Sequence, residues 1–341
     1  MSVQILKFDN GEEFKFDASS YEFQGYQNIA QNIASRQDEA FFFARNLEFV
    51  RQKIFTPTYA ELKLLNGSLL PLNTSIPDGA VTDTYDILDS TGNAKIVGNY
   101  ADDIPTVAVM GTEQTNSIHS IKTSYIYSKQ DARQDRMFGN AGRSVITNKA
   151  LSARKALDQE LNNILAFGSV EYGIAGMFSN ANVPLNAVAG TGSGASTLWS
   201  TKTAPNILAD VDSAIQSMID VSNGNEVPNH LLLDSTSYFL IRNKPLDISN
   251  YSGMTVLKYI EQEYNLKVEA VQQLKSRFAN NTKSGFVLYN NSSEKLEGVI
   301  PLRLEPQPPE LVNSKIKIIL EARCGGTRVF YPYSMSYSYG I

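Results

Sequence analysis

Sulfur and imidazole are scarce in this chain: one cysteine, Cys324, and two histidines, His119 and His230, among 341 residues. One thiol excludes an internal disulfide framework, and the soft ligands are too few for a closed zinc site. The chain is therefore expected in a reducing compartment. A basic excess is missing as well. The net charge of −5 argues against a surface that coats nucleic acid, although a local basic stripe could still face DNA. No apolar run reaches the roughly 18 residues that a bilayer span requires. Met1 to Lys15 lack the basic start and unbroken apolar stretch of a signal peptide. A soluble intracellular protein without a membrane contact is expected.

Catalytic constellations are equally thin. Gly190-Thr191-Gly192-Ser193-Gly194 has the glycines of a phosphate loop, but it follows no clear strand and lacks the Lys-Ser/Thr ending. His119 and His230 fall in or beside strand patterns and read as structural histidines. Asp102 and Asp103 precede Ile104-Pro105 and read as a solvated loop, while Cys324-Gly325-Gly326 reads as a β-turn beside a small buried thiol. No residue is assigned to catalysis, to a cofactor or to a metal.

Proline is absent from Lys129 to Gly168, and there the longest helical signal lies. Ile146, Ala150, Ala153, Leu157, Leu161 and Ile164 recur at spacings of four and three, one face of an α-helix. Unbroken, it would be a rod of roughly 54 Å at 1.5 Å per residue. Gly139 and Gly142, in its first half, are candidate hinge positions.

The rest is read as material hung on this rod. Residues 1–56 begin as a polar arm with a short strand at Val3 to Phe8, followed by an amphipathic helix over 33–55 that Pro57 ends. Residues 57–105, with short alternating runs such as Val81 to Leu88, predict a long two-stranded hairpin. Its charge is lopsided: Asp83, Asp86 and Asp89 belong to an acidic set opposed by Lys95 alone between Ile76 and Pro105. Strands at 107–110 and 117–127 lead into the rod. Beyond Gly168 come Gly173-Ile174-Ala175-Gly176-Met177-Phe178 and a Gly/Ser run at 190–197, which reads as a flexible surface loop. An α/β unit follows, with helices at 207–221, 235–241 and 255–264 and strands at 230–234, 267–271 and 286–289. Strands then return at 299–304, 316–321, 327–331 and on to Tyr339. The simplest closure pairs these last strands with 107–127 against the rod, giving one discontinuous domain with a separate α/β insertion.

One charge pattern exceeds background. Lys129, Arg136, Arg143 and Arg154 are spaced by 7, 7 and 11, and on a continuous helix they fall within about 40° of one another. The plain reading is a solvated face with local ion pairs such as Arg154 and Asp158 at i, i+4. The sharper one is a stripe that receives the acidic hairpin of a neighbouring copy, where opposite charge sets register more than affinity.

The order of parts resembles the major capsid proteins of tailed bacteriophages with the HK97-type fold. Locally, Gly173-Ile174-Ala175-Gly176-Met177-Phe178-Ser179-Asn180, Val183-Pro184, Trp199 and the Asp210-Val211 helix look like a segment recurrent in one subgroup of that family. The resemblance implies an α+β fold divided into an N-arm (1–56), an E-loop hairpin (57–105), a P-domain built on a spine helix (106–200 and 295–341, spine 129–167) and an inserted α/β A-domain (201–294). It also implies hexamers and pentamers in an icosahedral shell around double-stranded DNA, non-specific DNA contacts, a portal, and a separate scaffolding or decoration protein. Location would be the virion, after assembly in the host bacterial cytoplasm. Some members form an isopeptide bond from a hairpin lysine. Lys95 is the lysine of the tip region, but no asparagine or glutamate matches, so that chemistry is not carried over. An encapsulin-like compartment sharing the fold is the nearer alternative, and a cytosolic enzyme centred on residues 205–290 the more distant one.

Overall fold

The structure is a computed structural model that describes residues 3–7, 13–17, 61–96, 104–138, 144–246, 253–278 and 283–341. The chain divides into two units, Met1–Thr56 and Pro57–Ile341. In the first, β1 (Val3–Lys7) and β2 (Glu13–Asp17) pair antiparallel, with Val3 opposite Asp17 and Lys7 opposite Glu13. The helix expected over 33–55 lies outside the described residues, as do Asp102 and Asp103.

In the second unit, β6 (His119–Ser128) pairs antiparallel with β14 (Lys315–Cys324) over ten residues, from His119 opposite Cys324 to Ser128 opposite Lys315. This is the expected return of late strands onto early ones. β12 (Leu302–Pro306) and β13 (Glu310–Val312) share the other edge of β14.

The single long rod is not formed. Two helices, α1 (Lys129–Phe138) and α2 (Val145–Phe167), stand where one was expected. Ser144 between them is extended, at φ −61° and ψ 117°, and its hydroxyl accepts the Thr147 N–H, a regular N-cap. Residues 135 and 145 of an unbroken helix would stand about 15 Å apart. Instead the Asp135 carboxylate accepts from Val145 N at 2.7 Å, Ile146 N at 3.2 Å and Ser144 Oγ at 2.5 Å. The apolar periodicity is real on each side of the joint, but a serine cap and a carboxylate aimed at the new N-terminus reward starting a second helix.

α2 buries Ala153, Leu157, Leu161, Ile164 and Leu165 against β6 and β14. Its C-terminus is closed by the segment that follows. Gly168 N donates to Ile164 O, Met177 N to Leu165 O, Phe178 N to Ala166 O, and Ser179 Oγ to Phe167 O, so the last four carbonyls are all satisfied. The Gly173-to-Phe178 motif is thus a plug. Gly168 has φ +63°, and a Cβ there would lie 2.1 Å from Ile174 O; one on Gly176 would lie 2.3 Å from the Phe167 carbonyl carbon.

The α/β part is built on a five-stranded sheet of order β7 (Leu185–Ala187), β16 (Met335–Tyr339), β10 (Gly285–Tyr289), β8 (His230–Leu233), β9 (Lys267–Ala270). It carries α3 (Ala204–Val221), α4 (Ser235–Asn243) and α5 (Val256–Glu263). This region is not a separate insertion. Leu231, Leu233, Phe286 and Leu288 face the core under the helices, together with Trp199, whereas Leu232, Val287, Tyr289, Met335 and Tyr337 face the core that holds α2. Every residue of β10 is buried because both faces of the sheet are covered. β16 also departs from expectation, pairing with β10 and β7 rather than with the 107–127 region. Ser336 and Ser338 occupy its helix-side face, and their small side chains let a buried central strand lie there.

The hairpin is placed further along the chain than expected. β4 (Thr82–Thr91) and β5 (Ala108–Ser117) pair over ten residues, from Thr82 opposite Ser117 to Thr91 opposite Ala108. Its second arm therefore lies beyond residue 105. The polar run Gly111-Thr112-Glu113-Gln114-Thr115-Asn116 hid that arm, since a ribbon wet on both faces has no apolar alternation to display. Two further strands, β11 (Leu296–Val299) and β15 (Gly326–Val329), pair antiparallel beside the hairpin's root, with β3 (Leu72–Asn73) parallel to β11.

Candidate assembly surface

The hairpin exposes apolar side chains along most of its length. Leu88 is 74% exposed and Met110 69%, and Val107 and Val109 are similarly open. A two-stranded ribbon has no core of its own and is marginal in water. Its contacts with the body among the described residues lie at the root. Asp83 Oδ2 lies 3.6 Å from Arg328 Nε, the Tyr85 and Phe330 rings meet edge to face at 4.9 Å, and an Arg323 Nη1 donates to the Asp78 carbonyl.

The three predicted hairpin acids do not act alike. Asp83 is engaged by Arg328 of its own chain, which removes it from any set free to meet a neighbour. Asp86 and Asp89 are exposed but project from opposite faces, being three residues apart on a strand. Asp86 instead sits directly across from Glu113, also exposed. Like charges opposed across a strand pair destabilise it unless a cation intervenes. Glu113 went unrecognised in the sequence because finding it requires the register, and the register requires knowing that 108–117 is the second arm.

Of the basic set, Lys129 and Arg136 are exposed on α1 and Arg154 on α2, where it pairs with Asp158 at 3.8 Å. Arg143, Gly139 and Gly142 lie outside the described residues. The stripe presupposed one continuous helix, and with the break at Ser144 that alignment does not hold. Arg133, exposed on α1, joins the basic residues there. α1 is fixed by a reciprocal cap, Ser128 N to Asp131 Oδ2 and Asp131 N to Ser128 Oγ, each 3.1 Å. Asp131 also holds Lys149 of α2 at 3.1 Å. An open groove of about 660 Å³ runs between α2 and β6, lined by Tyr125, Ile126, Val145, Asn148 and Lys149 among others. Ile126 and Val145 expose apolar surface in it.

Other clusters read as structural. Lys202 and Asp210 form a fully buried ion pair at 2.6 Å; Trp199 Nε1 donates to the same carboxylate at 2.9 Å, and Lys202 also donates to Ala189 O. Burial pushes the Asp210 carboxyl up despite these partners. The Gly/Ser run is a hydrogen-bonded turn, with Gly192 N donating to Ser196 O and Asn206 Nδ2 to Thr191 O, and it presents no phosphate cradle. The His230 ring leans at a tilt against that of Tyr289, centroids 5.3 Å apart, and burial lowers its pKa. Cys324 is sealed at the end of β14, its thiol pushed up to about 11 by burial. Among the described residues no group of three or more His, Cys, Asp or Glu side chains could hold a metal, and no helix is long and apolar enough to cross a membrane.

The chain matches the capsid of Myoviridae phage XM1 with a TM-score of 0.73 at 16% identity, covering 89% of this chain and 100% of that one. It matches a Mycobacterium phage Ogopogo structure at 0.55 and 13%, covering 88% and 99%, and the capsid of the native GTA particle at 0.60 and 9%, covering 87% and 96%. At these identities the likeness is one of fold. A family model described as major capsid protein matches residues 92–341. The chain belongs to that family of major capsid proteins, and the encapsulin-like alternative is not favoured. No curated protein sequence matches the chain.

Proposed function

We propose that the subunit assembles with copies of itself, as hexamers and pentamers, into an icosahedral shell around double-stranded DNA held by non-specific contact, with no catalytic step of its own. Residues 1–56 serve as the N-arm and the β4–β5 ribbon as the E-loop. The strands around β14, with α1 and α2, form the P-domain, and the α3–α5 side of the five-stranded sheet forms the A-domain. A portal and a separate scaffolding or decoration protein complete the particle. Assembly takes place in the host bacterial cytoplasm, and the protein resides in the virion.

The observation that carries this reading is the ribbon. Leu88, Val109 and Met110 are open to water, and Asp86 and Glu113 stand directly opposite each other across the two strands. A second copy offers complementary surface: apolar side chains in the groove between α2 and β6, and positive charge at Lys129, Arg133 and Arg136 beside it. Arg143, Arg154 and Asp89 remain candidates for the same contact. Gly139 and Gly142, between α1 and α2 in the sequence, are the proposed positions of bending as the shell matures. Because each contact must first order the ribbon, single contacts are weak and the closed shell is strong.

Negative-stain microscopy of the purified protein tests the reading. Rings or closed shells are expected, and a homogeneous monomer or dimer at high concentration would overturn it. Nuclease-resistant DNA inside the particles is the expected cargo, whereas packaged protein in its place would return the encapsulin alternative.

A further inference from the structure

Arg328 is the most deeply buried arginine described, at 3% exposure, yet its guanidinium is poorly served. Nη1 donates to Gly325 O at 2.8 Å, while Nε and Nη2 have no hydrogen-bond partner among the described residues. Two carboxylates face it. Glu297 is its cross-strand partner on β11 and is itself held by Asn73 Nδ2 at 3.1 and 3.2 Å. Asp83, on the first turn of the ribbon, lies 3.6 Å from Nε. Space for the guanidinium depends on Gly325, where a Cβ would approach Nη2 to 2.9 Å. A buried cation with one directional partner for its whole fork is costly, so a chain that keeps one there gains something from its position.

That position is the root of the ribbon. From Ala108 to Thr115 β5 is exposed throughout, and on β4 only Asp83 and Tyr85 are partly covered. Both are covered by the segment that carries Arg328: Asp83 by Arg328 itself and Tyr85 by Phe330. We propose that Arg328 is a positioning residue for assembly. Its guanidinium, held between Asp83 and Glu297, fixes the angle at which the ribbon leaves the body and thereby the register in which one subunit meets the next. The attraction is Coulombic and only loosely directional at 3.6 Å, so it restrains the ribbon without freezing it. The second half of this inference rests on the shell-forming role proposed above; the first half concerns the lone subunit.

The test uses spin labels at two exposed sites, Ser90 on the ribbon and Glu160 on α2, in the unassembled subunit, with Cys324 sealed in the core. Asp83→Asn should leave cooperative unfolding of the body intact and broaden the Ser90–Glu160 distance distribution about twofold. It should also lower shell yield about tenfold, since a small loss at each contact multiplies around a shell. Asp83→Glu, whose longer side chain can close the gap to Nε, should restore both readings. Arg328→Lys, which keeps charge but loses the planar fork, should broaden the distribution in the same sense. An unchanged distribution in Asp83→Asn overturns the positioning role, as does a broadened one with wild-type shell yield. A wild-type protein that shows the narrow distribution but never assembles would instead count against the shell reading alone.

Discussion

Asp135, in the second half of α1, accepts the backbone N–H of Val145 at 2.7 Å, so the second helix is capped by a residue of the first. Together with Asp131 and Lys149, this makes the corner between the helices a two-point polar joint rather than an apolar one.

The joint should be sensitive to its carboxylates. In Asp135→Ala, amide exchange at Val145 and Ile146 should rise about tenfold, with β10 unaffected. The Ser144 hydroxyl, then the Val145 and Ile146 amides, hold the Asp135 carboxyl below its ordinary value of 3.8. A lowered value means that the support is complete above 3.8 and fades as pH falls through the lowered one. Exchange at these two amides, corrected for its intrinsic pH dependence, should accordingly stay flat from neutrality down to about pH 4 and climb below it. A climb beginning near pH 6 would contradict the assignment.

Gly176→Ala should be among the most damaging small substitutions. The added carbon meets the backbone of Phe167 at 2.3 Å and must open the plug over α2. A loss of about 3 kcal/mol in urea unfolding is expected. A cost within the ordinary range of about 0.5 kcal/mol for surface changes would show that the loop relaxes freely.

Lys202→Met leaves Asp210 buried without its cation and should cost about 3–5 kcal/mol. Adding Asp210→Asn should recover part of that loss, because the uncompensated charge is then gone. If the double variant is as unstable as the single one, the damage lies in packing around Trp199 and not in the ion pair.

Charge at the ribbon should affect assembly and folding in opposite directions. Glu113→Gln relieves the pair with Asp86 and should steady the lone ribbon by roughly 0.2–1 kcal/mol, while shell formation weakens and loses part of its salt dependence. Arg136→Glu with Arg143→Glu should leave the subunit folded and impair assembly. Normal shells from that double variant would exclude the basic face as the ribbon's partner surface.

Local pattern was enough wherever burial was one-sided. The spacing of Ala153, Leu157 and Leu161 fixed the buried face of α2, and Ile207, Leu208, Val211 and Ala214 did the same for α3. It was not enough at the joint, because apolar periodicity continues in phase across a break that only Ser144 and Asp135 specify. Nor could it place β16. Tyr331 and Tyr333 are exposed ahead of the strand, while Ser336 and Ser338 line a second buried face, so no single apolar face marks it. The assembly surface was the least legible part. The Asp86–Glu113 opposition and the Asp83–Arg328 contact join residues 27 and 245 positions apart, and no local window contains either.

The central place of β16 also sets a clock on synthesis. Residues 335–339 lie between β7 and β10, so the five-stranded sheet, and with it both cores, stays open until these residues have been made. At about 5–20 residues per second, the hundred or so residues after α4 take several seconds to make. During that time the ribbon, complete by residue 117, already exists as a sequence but has no finished body to dock on. A nascent subunit that lacks residues 335–339 therefore presents its ribbon strands before either core can close.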